Sequence, residues 1–133
     1  LSNFQNAIRC LDEAITMREY SSYAHYMLGL AQYKNNDLDK ARNAFERSLD
    51  LKPNNARVHL YLGNLAGTQK RYKQAEDHFL STVKLDPTLP DAYYNLSVLY
   101  LQQKRMKDAL YYYRKALQQG AQPDRAHEKN LRI

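Results

Sequence analysis

Between residues 22 and 34, Tyr23, Tyr26, Met27, Leu30 and Tyr33 recur at three- and four-residue steps, and Ala24, Leu28 and Ala31 form a second line beside them. That spacing predicts a helix with two apolar stripes, hence one covered on two sides. Asn35-Asn36-Asp37 interrupts it with turn-forming residues. Leu38, Ala41, Phe45, Leu49 and Leu51 then give the single stripe of a second helix, and Pro53-Asn54-Asn55 ends it because Pro cannot continue a helix. The same two-helix plan is expected over 56–89 and 90–123, where Leu89-Pro90-Asp91 places Pro in a first turn that tolerates it. Residues 1–21 carry only the second-helix stripe: Phe4, Ala7, Leu11, Ala14, Ile15 and Met17. They are expected to be the second helix of a truncated unit. After Gln122-Pro123-Asp124 a short, charged capping helix is expected within 124–133.

The elements repeat. Leu28-Gly29, Leu62-Gly63 and Leu96-Ser97 stand 34 residues apart, as do Ala7, Ala41, Ala75 and Ala109, and Phe45, Phe79 and Tyr113. A period of this length means a stacked array, in which each unit buries its apolar side against its neighbours. Gly costs about 1 kcal/mol against Ala inside a helix. Gly29 and Gly63 at one phase therefore need a packing reason, and close approach of two helices near the recurring Ala is the expected one.

Composition adds limits. With 12 Tyr, 3 Phe and no Trp, the aromatic content suits half-buried positions, where a ring packs and its hydroxyl reaches water. The single Cys10 excludes an intrachain disulfide, and its place among Leu11 and Ala14 leads us to expect a buried thiol. No stretch reaches the roughly 18 apolar residues of a membrane span, and no signal peptide is visible; a cytoplasmic location is compatible with both. The chain opens in mid-pattern, as a fragment would. Its net charge of +6 grows from −1 over residues 1–21 to +4 over 90–133, which favours acidic partners. Nucleic acid is disfavoured, because the cations are not interleaved with aromatics for base stacking.

Little points to catalysis. His25 and His59 share a phase, but each is expected to fill an aromatic packing slot. His78 and His127 show no convergent partners in the sequence. No phosphate loop, nucleophile elbow or paired metal motif is present, so no enzyme activity, cofactor or metal is expected. In Tyr111-Tyr112-Tyr113, one core ring (Tyr113) with two partly exposed neighbours is expected.

Taken together, Leu28-Gly29, Ala41, Phe45, Pro53, Leu62-Gly63, Tyr72, Ala75, Phe79, Pro87, Leu96, Tyr100, Ala109 and Tyr113 make the chain resemble the tetratricopeptide repeat family over residues 1–123. His25, His59 and Tyr93 replace the Trp often seen early in such a repeat. The resemblance implies an all-α, right-handed superhelical array of antiparallel helix hairpins, an α-solenoid of about three and a half repeats. The units would be 1–21, 22–55, 56–89 and 90–123, with 124–133 as cap.

It further implies a non-catalytic scaffold or adaptor that holds a peptide or helix of a partner in a groove lined by the first helices. The groove positions would be Tyr23, Tyr26, Met27, Leu30, Tyr33, Leu60, Tyr61, Asn64, Tyr94, Asn95, Val98 and Leu101. One subgroup of the family clamps the C-terminal carboxylate of heat-shock chaperones with Lys, Asn and Arg. Here the clamp slots hold Tyr26, Leu30, Tyr61, Asp91 and Asn95, without a cation, which argues against that role. The expected ligand is apolar or amphipathic with some acidic character, since Lys70, Arg71, Lys73, Lys104, Arg105 and Lys107 would form a basic edge at recurring turns. Two alternatives stand beside the adaptor. The array could self-assemble through an open N-terminal face (Phe4, Ile8, Leu11, Ile15), or serve as a regulatory domain of a larger protein.

Overall fold

The computed structural model describes residues 3–133, without the side chains of Phe4, Leu11 and Ile15. Those three positions of the expected N-terminal face therefore lie outside the described residues. The described chain is helical throughout: α1 (Asn3–Lys34), α2 (Leu38–Leu51), α3 (Ala56–Thr68), α4 (Tyr72–Leu85), α5 (Pro90–Gln102), α6 (Met106–Gln118) and α7 (Arg125–Asn130). It divides into two compact units, one through Val58 and one from His59 onward.

The first unit is the α1–α2 hairpin. The sequence predicts a break near residue 21; instead α1 runs unbroken across that point. The cause is local. Thirty-four residues before Pro53 stands Glu19, so the breaker that ends α2 has no counterpart in α1. The helices approach closely where side chains are small. Ser22 Oγ donates to the Ser48 carbonyl at 3.0 Å and Ser48 Oγ to the Ser22 carbonyl at 2.8 Å, both fully enclosed. Two turns further along α1, a Cβ on Gly29 would stand 2.6 Å from Phe45 Cε1. The tight neighbour of the glycine is thus the phenylalanine ring, while Ala41 is itself fully buried.

The second unit repeats this construction. A Cβ on Gly63 would meet Phe79 Cε1 at 2.5 Å. The core of this unit joins Leu60, Phe79, Leu96, Leu99, Tyr100 and Tyr113 with a line of fully buried alanines, Ala75, Ala92 and Ala109. In the third repeat Ser97 replaces the glycine, and its Oγ donates to the Ala109 carbonyl at 2.7 Å.

Three turns share one design. Asn36, Lys70 and Lys104 adopt φ of 62°, 59° and 60°. In each, the following N–H bonds back to the carbonyl five residues earlier: Asp37 to Gln32, Arg71 to Ala66 and Arg105 to Tyr100, at 2.8–2.9 Å. This is the Schellman cap, which closes a helix through one left-handed residue. Pro90 occupies the first turn of α5 as expected, and Asn55 Oδ1 accepts the Arg57 and Val58 N–H groups at the start of α3.

Candidate interaction surface

In the first unit the candidate groove residues lie on one face of α1, at steps of three and four. Tyr23 is 59% exposed and Met27 44%. Tyr23 meets Tyr26 edge-on with ring centroids 6.5 Å apart, and Tyr26 tilts against Phe45 at 6.3 Å. Tyr26, Leu30 and Tyr33 are half-buried, so the face is a rooted aromatic strip with its outer edge open.

The second unit places Tyr61 and Asn64 on α3 and Asn95, Val98 and Leu101 on α5, all half-buried. Asn95 Nδ2 donates to Asn64 Oδ1 at 2.7 Å. That pairing uses one donor and one acceptor. The Asn64 amide N–H2 and the Asn95 amide oxygen keep hydrogen-bonding capacity. The pair is spaced 31 residues apart, so the 34-residue register alone does not reveal it.

Two expectations need correction. Leu60 is 4% exposed and belongs to the core. Its short branched side chain sinks where Tyr26 and Tyr94 hold a ring at the same phase. Tyr94 is occupied by the cap: its hydroxyl donates to Asp124 Oδ2 at 2.6 Å and its ring lies 5.1 Å from that of His127. Burial first, and the neighbouring carboxylate second, push that hydroxyl up to about 12.

The basic edge is also partly committed. Lys73 Nζ lies 3.2 Å from Asp77 and 3.8 Å from Glu76. Arg105 pairs with Asp108 at 2.9 Å and with Glu76 at 3.3 Å, and its guanidinium covers the Tyr100 ring at 4.3 Å. Lys70 and Lys104 sit at the left-handed turn positions, and Arg71 and Lys107 are exposed.

The histidines are more connected than the sequence indicates. His59 Nδ1 and His78 Nδ1 face each other at 3.1 Å, so the pair shares one proton between them. Burial, then the neighbouring His59, lower the His78 pKa. His127 is 6% exposed and its Nε2 lies 2.8 Å from Ser97 Oγ. A serine beside a histidine invites a nucleophile reading, but the hydrogen bonds oppose it. The Ser97 proton goes to the Ala109 carbonyl, which can only accept. Ser97 must then accept from His127 Nε2–H, leaving an imidazole that holds the serine rather than deprotonating it. The recess is closed by Tyr113, whose hydroxyl donates to Glu128 at 2.8 Å and accepts the Asp124 N–H at 3.0 Å. Cys10, expected buried, is exposed. Among the described residues, no group of three His, Cys, Asp or Glu side chains is placed to hold a metal ion, and no helix is long and apolar enough to cross a membrane.

The sequence model of the tetratricopeptide repeat matches residues 1–56, 26–90 and 60–126. Tetratricopeptide repeat protein 37 of Xenopus laevis is 29% identical over 99 residues, 71% of this chain and 6% of that protein. The peroxisomal targeting signal receptor of Candida albicans is 32% identical over 71 residues, 53% of this chain and 12% of the receptor. The chain thus spans only a small part of the curated relatives it matches. Among solved structures, the Arabidopsis OM64 TPR domain superposes with a TM-score of 0.81 at 24% identity, over 86% of this chain and 97% of that domain. The first TPR of Spaghetti, bound to an HSP90 peptide, gives 0.77 at 17% identity, over 86% and 90%. At these identities the likeness is one of fold.

Proposed function

The chain belongs to the tetratricopeptide repeat family, and on that premise we propose that it is a non-catalytic scaffold holding a peptide or helix of a partner protein along the first helices of its repeats. The observation that carries the reading is the Asn64–Asn95 pair set among the half-buried Tyr61, Val98 and Leu101. Its remaining amide N–H2 and amide oxygen match the carbonyl and N–H of a peptide unit, and its apolar neighbours suit the side chains of such a segment. In the first unit, Tyr23 and Met27 supply the exposed anchors, a residue class suited to adaptable recognition. With no cation at the clamp slots, an internal apolar or amphipathic segment fits better than a free terminal carboxylate.

Selection of binders from a random displayed-peptide library tests the proposal. Asn64→Ala with Asn95→Ala should weaken the selected peptides about 10- to 30-fold, because two hydrogen bonds of about 1 kcal/mol each are lost. Unchanged affinity in that variant, with Tyr23→Glu and Met27→Glu equally without effect, contradicts it.

A second reading is self-assembly. Ile8, Met17, Tyr20, Tyr23, Met27 and Leu28, all on α1, are each more than 40% exposed, and open apolar faces of this kind invite association. A concentration-independent monomer mass by light scattering would dismiss it.

A further inference from the structure

The outer face of α6 differs from the same face of the two earlier second helices. Lys107, Leu110, Tyr111, Arg114, Lys115 and Gln118 line an open depression of about 380 Å³, on the side away from the buried Ala109, Tyr113 and Ala116. At its centre Tyr111 is 55% exposed yet braced: Tyr112 meets it edge-on at 5.0 Å and Lys115 Nζ sits 5.6 Å from its centroid. Among the described residues, no carboxylate lies within 4.0 Å of the charged ends of Lys107, Arg114 or Lys115; the nearby Asp108 is taken by Arg105.

The repeat supplies its own control. One period earlier, α4 carries Lys73, Glu76, Asp77 and Lys84 on this face, two cations and two carboxylates, with Lys73 bridged to Asp77. Two periods earlier, α2 carries Asp39, Arg42, Glu46, Arg47 and Asp50, with Arg42 bridged to Asp39. A solvated second-helix face is therefore built here from balanced charge. Of the three second helices α2, α4 and α6, and among the described residues, α6 alone sets an exposed ring among cations without a carboxylate partner.

We propose that this face of α6 binds an acidic amphipathic helix of a partner protein, with an apolar side chain seated against Tyr111 and Leu110 between flanking carboxylates. Lys107 and Arg114 are seven residues apart, about 10.5 Å along a helix at 1.5 Å per residue. A partner helix with carboxylates two turns apart matches that step. An anionic membrane is the weaker ligand: three cations at about 1 kcal/mol each give only marginal attachment, and the braced ring has no role in it. The inference concerns a surface separate from the Asn64–Asn95 pair and does not rest on the groove reading.

Fluorescence anisotropy with a designed helical peptide tests it. The probe carries Glu at i, i+7 and i+8 and Leu at i+3 and i+4, and a second peptide has Lys in place of each Glu. The expected result is binding of the Glu peptide at a Kd of ~10–100 µM, weakened by added salt and absent with the Lys peptide. Arg114→Glu with Lys115→Glu should weaken it at least tenfold, Tyr111→Ser should weaken it several-fold, and Asn64→Ala with Asn95→Ala should leave it unchanged. Circular dichroism confirms that each variant is folded. Equal affinity in the charge-reversed variant, no binding of the Glu peptide, or binding only to phosphatidylserine vesicles would each overturn the proposal.

Discussion

Single residues set the tightest limits. Gly63 is fixed by the Phe79 ring, itself 3% exposed and unable to move aside without disturbing the core. Gly63→Ala should cost about 1–3 kcal/mol, the range for overpacking a filled interior, measured by urea unfolding; a neutral result would show that the ring can shift. The glycine and phenylalanine positions were both legible from the period, but their direct contact was not, since spacing places residues on faces without saying which pairs touch. His127 was the larger omission. Its partners Tyr94, Ser97 and Tyr113 come from two other helices, and no local pattern announces a contact across 30 residues. Burial lowers the His127 pKa below the ordinary 6.5. Below pH 6.5 the unfolded chain therefore binds more protons than the folded one, and stability falls as pH drops through that value. His78 shifts in the same direction, whereas Asp124, lowered chiefly by the Tyr94 hydrogen bond, acts only near and below the usual carboxylate value of 3.8. Thermal melts at pH 7.5 and 5.5 should show a loss that is smaller in His127→Gln, where Gln can still donate to Ser97. An equal loss in both proteins would remove His127 from the account.

At the scale of elements, Asn35-Asn36, Pro53-Asn54-Asn55, Pro87, Pro90 and Pro123 stand at the ends of α2, α3, α4, α5 and α7, whereas the turns Gln69-Lys70-Arg71 and Gln103-Lys104-Arg105 before α4 and α6 carry no turn-forming residue and are visible only through the 34-residue register. The exception is α1, where the expected boundary lacks a breaker and the hairpin plan yields to local helix propensity. The groove positions were implied by the family resemblance, and that correspondence fails where residue size changes: Leu60 sinks into the core at a phase that elsewhere carries tyrosine. The turns carry a cost that the sequence alone conceals. Lys70 and Lys104 hold a left-handed conformation that Asn36 adopts at the equivalent turn with a residue better suited to it. Lys104→Asn should stabilise the protein by about 0.5–1 kcal/mol in urea unfolding, with α6 and the ion pairs of Arg105 intact. Destabilisation would mean that the lysine makes a contact worth more than the strain it accepts.

For the whole molecule, two surfaces are proposed: the paired asparagines of α3 and α5 for a peptide backbone, and the basic, tyrosine-centred face of α6 for an acidic helix. In both proposals the packed hairpins would hold the side chains in place before a partner arrives, which lowers the ordering cost of binding. The most direct test of the central claim is amide chemical-shift mapping of the protein against a library-selected peptide. Shifts are expected to gather at Tyr61, Asn64, Asn95, Val98 and Leu101 and to vanish in Asn64→Ala/Asn95→Ala. Shifts confined to residues away from α3 and α5, or unchanged by that double substitution, would contradict it.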